Sequence, residues 1–196
     1  MQPSEFRKAW TEVEDNLRPI SLDTLNKFGL NKEVIDFLNI SGLPDSAAPF
    51  LDFVGDWNTR DQYSMINKLP DLFNIPDSSY DKYIVIGSDG SGNCIACDTS
   101  KNCMIEWLDH EDYFSAEFMN SSIGQLANCL LVYRAFILSV NESGSKGDGS
   151  DAVFSDAQYD ILKDMLESID ERAVKEGFWK EELEILLANR EDESGR

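Results

Sequence analysis

The sequence predicts an α+β fold: an antiparallel or mixed β-sheet meander flanked by helices, with extra helices at the C-terminal end. Three observations carry this. Early in the chain and again after position 122, apolar residues recur at three- and four-residue steps, the period of a helix. Between these regions, short β-branched runs are separated by tight turns rich in Gly, Asp and Asn, as in hairpins. Helix and strand patterns do not alternate, as a parallel βαβ chain would require.

Taken in order, Phe6, Trp10, Val13 and Leu17 line the first helix, which Arg18-Pro19 ends. Leu22, Leu25 and Phe28 line a second that stops at Gly29. Asn31 caps a third, with Val34, Ile35 and Leu38 inward, until Gly42-Leu43-Pro44. Phe50, Leu51, Phe53 and Val54 read as a short strand after Pro49, and the mixed stretch 56–71 leaves room for another. Strands follow at 83–86, 93–98 and 103–108, joined by the Gly87–Gly92 turn and a tight turn at 99–102. Alternation puts Cys94 and Ala96 on one face of the sheet, Ile95 and Cys97 on the other. Ser122 and Gln125 form a capping box opening a helix whose stripe is Ile123, Leu126, Ala127, Leu130, Arg134 and Ile137. A second box, Ser155 and Gln158, opens the stripe Tyr159, Leu162, Leu166, Ile169 and Ala173. A last helix from Phe178 buries Trp179, Leu183, Leu186 and Leu187. The organisation expected is an α+β domain over 1–140, a flexible connector at 141–151 (NESGSKGDGSD), C-terminal helices over 152–190 packed on the same domain, and a polar tail at 191–196.

Charge is the strongest global signal. Asp and Glu outnumber Lys and Arg by 37 to 17, a formal charge of −20. That field repels nucleic-acid phosphates and anionic membranes and draws basic partners, although plain solubility explains acidity as well. The N-terminal MQPSEFRKAW has no apolar run behind it, and no stretch approaches a membrane span, so a cytoplasmic protein with four reduced cysteines is expected.

Four stretches in order resemble one family: FGLNKEVIDFLNISGLP at 28–44, IVIGSDGSGNCIACD at 84–98, MIEWLDHE at 104–111 and NSSIGQLANCLLVYRAF at 120–136. Together they are similar to the SUKH (Smi1/Knr4-like) superfamily, which includes bacterial immunity proteins and fungal cell-wall regulators. The resemblance covers most of residues 5–138, and FWKEELEIL looks like the longer members. It implies a mixed sheet packed by helices, no catalytic activity, and a face that engages a cognate toxin, frequently a nuclease or deaminase; no cofactor is expected.

Each candidate site has a plainer counterpart. Cys94-x-x-Cys97 suggests zinc or redox chemistry, but residues three apart in a strand point to opposite faces. Ser88 to Asn93 resembles half a calcium loop, yet with Asp89 counted as first the twelfth position is Ser100, and hairpin chemistry explains the turn. His110 among carboxylates reads as a surface residue, so no catalytic or metal residue is assigned. The partner-binding candidates are Glu106, Asp109, Glu111, Asp112 and Glu117, acids without an intervening base, with Tyr113 among them. The rival reading makes the neighbouring aromatics core and the acids a solvated edge. The acidic face of the C-terminal helices, including Glu181, Glu182 and Glu184, is a second candidate.

The function expected is an immunity protein, monomer or weak dimer, that occludes a basic toxin of the nuclease kind. The alternatives are a regulatory scaffold like the fungal members and, from another class, a thiol or metal enzyme using Cys94 and Cys97.

Overall fold

A computed structural model describes residues 1–56, 62–142 and 154–194. Its helices are α1 (Pro3–Thr11), α2 (Leu22–Leu25), α3 (Lys32–Ile40), α4 (Leu69–Phe73), α5 (Ile123–Glu142), α6 (Asp156–Ile169), α7 (Glu171–Lys175) and α8 (Phe178–Ser194). Its strands are β1 (Leu17–Arg18), β2 (Leu43–Pro44), β3 (Ser46–Ala47), β4 (Leu51–Phe53), β5 (Asn67–Lys68), β6 (Tyr83–Asp89), β7 (Cys94–Asp98), β8 (Met104–Asp109) and β9 (Ser115–Asn120).

The caps the sequence announces are made. Asn31 Oδ1 accepts from Val34 N and Ser155 Oγ from Gln158 N, and a cap the sequence reading did not name, Ser21 Oγ, accepts from Thr24 N. Ser122 Oγ likewise accepts from Gln125 N at 3.3 Å. Each satisfies a first-turn amide that has no carbonyl partner within its own helix.

Seven strands form one antiparallel sheet in the order β3-β4-β6-β7-β8-β9, with β5 also paired to β6. β4 takes the Gly87–Asp89 half of the β6 edge and β5 the Ile84–Val85 half. The α+β prediction therefore holds, and every pair of named strands among the described residues is antiparallel. Strand β9 lies in the stretch between 108 and 122, to which the sequence pattern assigned no element. Its first residues, Ser115 and Ala116, are exposed and carry no β-branched signal, so pairing with β8 makes the strand rather than propensity.

Each face of the sheet buries its own cluster. The broad one gathers Ile84, Ile86, Ile95, Cys97 and Ile105 with residues of the helices, including Phe6, Phe37, Leu130, Leu162 and Trp179. The narrow one holds Leu69, Leu72, Tyr83, Val85, Cys94, Ala96 and Leu108, with α4 laid over it. Cys94 with Ala96, and Ile95 with Cys97, thus part as strand alternation requires.

Several expectations shift. The α1 stripe stops at Trp10: Val13 is exposed and Leu17 belongs to β1. By length and composition α5 is apolar enough to cross a membrane, against the expectation that no stretch comes near that. It is apolar on several sides because it sits between the sheet and helices, burying Cys129, Tyr133, Phe136 and Val140 beyond the expected stripe. Its Arg134 stacks on Trp10 and donates to the Ala9 and Trp10 carbonyls, closing the end of α1. Asn141 and Glu142 form the last residues of α5, and the rest of the expected connector, 143–151, lies outside the described residues. Helix α8 continues through 191–194, with 195 and 196 outside the described residues.

Candidate functional site

The turns at one end of the sheet come together. β6 ends beside the β3–β4 turn, because Leu51 pairs with Asp89, and the β6–β7 and β8–β9 turns follow from the same up-and-down order. The contacts are direct. A Cβ at Gly90 would lie 3.4 Å from the Phe50 Cβ, and one at Gly92 would lie 3.9 Å from His110 Cε1. His110 donates its backbone N–H to Asn93 Oδ1 at 3.0 Å, and its Nδ1 lies 2.7 Å from the same oxygen. Phe50, the β6–β7 turn and the β8–β9 turn are therefore one continuous tip.

The β6–β7 turn is built on Asp89. Its Oδ1 accepts from Ser91 N and Asn93 N, and its Oδ2 from Asn93 Nδ2 and Trp107 Nε1. Burial alone raises this carboxyl, but the bonds from Asn93, Trp107 and Ser91 outweigh it and hold it below the usual range. A carboxylate so occupied has little left for calcium, which agrees with the hairpin reading.

The six expected partner-binding residues divide. Asp109, Glu111, Asp112 and Tyr113 belong to the tip. Asp109 Oδ1 accepts from Glu111 N, and Tyr80 Oη donates to the Tyr113 carbonyl at 2.8 Å. Phe114 turns inward against Phe73 at 4.7 Å between centroids, and Tyr113 points out, 85 % exposed. Glu117 stands around the corner toward α8, where desolvation, then Glu181 and Asp109, raises its carboxyl. Glu106 is not at the surface. It is 3 % exposed and paired with Lys101 at 2.6 Å, because its strand position turns it with Ala96 toward the narrow face. Phe50, expected in a strand, is instead 87 % exposed in the turn before β4.

Backbone conformation singles out the two exposed rings. Six non-glycine residues among those described have positive φ. Asn74 and Asn102 are of the type that tolerates it. Cys103 is buried and accepts the Asn31 N–H, and Phe114 is packed. Phe50 (φ 55°) and Tyr113 (φ 52°) carry large exposed rings in a conformation costing roughly 1–2 kcal/mol for an L-residue. No burial offsets that cost.

Glu182 of α8 extends the acidic surface toward Asp89. Desolvation first, then Asp89 and Glu181, pushes its carboxyl from 4.5 up to about 7. A carboxyl raised by folding makes the fold less stable as pH climbs from the unfolded value to the folded one. Stability should therefore fall between about pH 4.5 and 7. Glu182→Gln should flatten that slope and add roughly 1–2 kcal/mol at pH 8, discounted for its partial exposure. Thermal melts across that range check it.

The cysteines are poor nucleophiles. All four are free and buried. Burial pushes Cys94 and Cys129 up to about 12, and raises Cys97 and Cys103 as well. Thiols in that state supply almost no thiolate at neutral pH. With Cys94 and Cys97 on opposite faces, they do not form a paired site. Among the described residues no group of three or more metal-ligating side chains converges.

The fold defines the class: a small α+β protein built on one antiparallel sheet, with most of its helices over one face. The family model for the SUKH-4 immunity protein matches residues 14–186, and the chain belongs to that family, within the SUKH/Smi1-Knr4 superfamily. No curated protein and no solved structure matched the chain. Membership supports an immunity function and implies a cognate toxin as binding partner.

Proposed function

We propose that this protein neutralises a basic bacterial toxin, of the kind that acts on nucleic acid, by covering the toxin's cationic cleft with the acidic tip of its sheet. The observation that carries the reading is the tip itself. Asp109, Glu111 and Asp112 lie exposed or half-exposed around Tyr113, and the nearest lysine or arginine in sequence, Lys101, lies at the other end of the β7–β8 pair. The net charge of −20 extends that field, which steers a basic partner and matches the potential of a protein built to hold phosphates. No chemistry by the protein is needed: occlusion requires only shape, charge and a fold that keeps the surface rigid. The protein would act as a monomer or weak dimer in the cytoplasm, where its buried thiols stay reduced.

Calorimetric titration with an inactivated nuclease-type toxin domain, taken from whichever neighbouring gene encodes one, tests it. Binding should be tight at 50 mM salt and at least about tenfold weaker at 500 mM, as screening shortens the reach of the carboxylates. Absence of binding at low salt, or affinity indifferent to salt, would reject the reading.

A further inference from the structure

Resting on the proposed toxin-binding reading, we infer that Phe50 and Tyr113 are pre-set aromatic anchors at the two ends of the acidic tip. The partner surface they fit is a basic strip flanked by two apolar recesses. Three independent observations converge on this pair.

Exposure is the first. At 87 % and 85 %, these are the two most exposed large apolar side chains of the described chain. The next, Ile161, is 59 % exposed. Aromatic rings offer large contact area with few rotatable bonds, so they anchor interfaces at little entropic cost.

Backbone is the second. Both residues hold left-handed φ where Gly or Asn would sit without strain. Each is also fixed by its surroundings. Phe50 lies against Gly90 of the neighbouring turn, and the Tyr113 carbonyl is held by Tyr80 while Phe114 is packed beneath. The backbone at both positions is set in advance, so a partner does not have to order it.

Placement is the third. One ring lies between β3 and β4 and the other between β8 and β9. They are separated by four strand spacings, or about 19 Å. That span fits within one side of an ordinary protein interface. Asp109, Glu111 and Asp112 crowd the Tyr113 end and Asp89 stands in the turn between the two rings, so the occupant is a basic protein with apolar contacts at both ends. A bare polyanion or a lipid surface would meet repulsion there.

Phe50→Gly, Tyr113→Gly and the double variant test the inference against the same inactivated toxin domain, with Ile161→Ser in the double Ile161→Ser/Met165→Ser variant as a control for exposed apolar residues elsewhere. Each single change should weaken binding at least tenfold and the double change a hundredfold or more, while Tm stays level or rises and the salt dependence stays that of the wild type. The control should bind normally. If the wild type binds and the double variant binds within twofold of it, the anchors are refuted and the toxin-binding reading stands. A Tm that drops in step with affinity also refutes them, since the rings would then be serving the fold. If the wild type itself fails to bind at low salt, the toxin-binding reading fails and the anchors fail with it.

Discussion

Trp179→Ala is expected to destabilise the protein by about 4 kcal/mol or more, a large share of a typical folding stability. Trp179 is fully buried on α8, 5.9 Å from the Tyr133 ring and 5.3 Å from Phe178. Its Nε1 donates to Asn120 Oδ1 at 2.9 Å. Asn120 is itself fully buried at the end of β9, and its Nδ2 lies 3.5 Å from both Asp170 Oδ2 and Cys129 Sγ. Removing the indole thus opens a cavity between α5, α8 and the sheet, and leaves a buried amide oxygen without its donor. Trp179→Phe should cost roughly 1–3 kcal/mol less, because it refills most of the space and orphans only the oxygen. Denaturant melts of the two variants separate packing from hydrogen bonding. Equal midpoints for wild type and Trp179→Ala would mean that α8 is not part of the core.

The second large effect concerns charge buried at the far end of the sheet. Asp98 and Glu106 are 0 % and 3 % exposed by their side chains. Lys82 Nζ lies 3.1 Å and Lys101 Nζ 3.7 Å from Asp98 Oδ2, and Lys101 also holds Glu106. Glu106 Oε2 has no hydrogen-bond partner among the described residues. Asp98 Oδ2, though also without a hydrogen bond of good geometry, has its lysine charge in contact, so we count it as compensated. Replacing both lysines with alanine should cost about 2–4 kcal/mol at pH 7, below the full penalty for a broken buried pair because the ammonium groups are partly in water.

The sign of the pH effect follows from Asp98. Burial raises its carboxyl, but Ser100 and Lys82 together outweigh that and leave it below 3.8. In the wild type its contribution is therefore present above about pH 4 and is lost as pH falls through the folded value. In the double variant the Lys82 contribution is gone and the Ser100 bonds alone oppose burial, so the deficit should shrink as pH drops from 7 toward 4. Urea midpoints at the two pH values measure this. A deficit constant with pH would mean that lost packing of the lysine stems is responsible.

Much of the architecture was legible residue by residue. Asn31, Ser122 and Ser155 marked helix starts, since a cap is a contact between residues two or three apart. Cys94, Ile95, Ala96 and Cys97 were correctly assigned to faces, since a strand has a period of two. Strand β9 was not legible, because Ser115 and Ala116 become strand only by pairing with β8. Of the candidate site, Asp109, Glu111, Asp112 and Tyr113 were read from local composition and lie together at the tip.

By itself the sequence determined the α+β class, the caps, the hairpin turn on Asp89, the acidity and the family. All of these depend on neighbours in the chain or on totals. Only the tertiary structure decided which carboxylates face water and which ring stands beside which turn. It carried Glu106 into the narrow face and turned Phe50 outward beside Gly90. It also set Glu182 near Asp89, although 92 positions separate them in the chain. Burial and left-handed backbone are properties of packing between distant segments, and no local pattern encodes them.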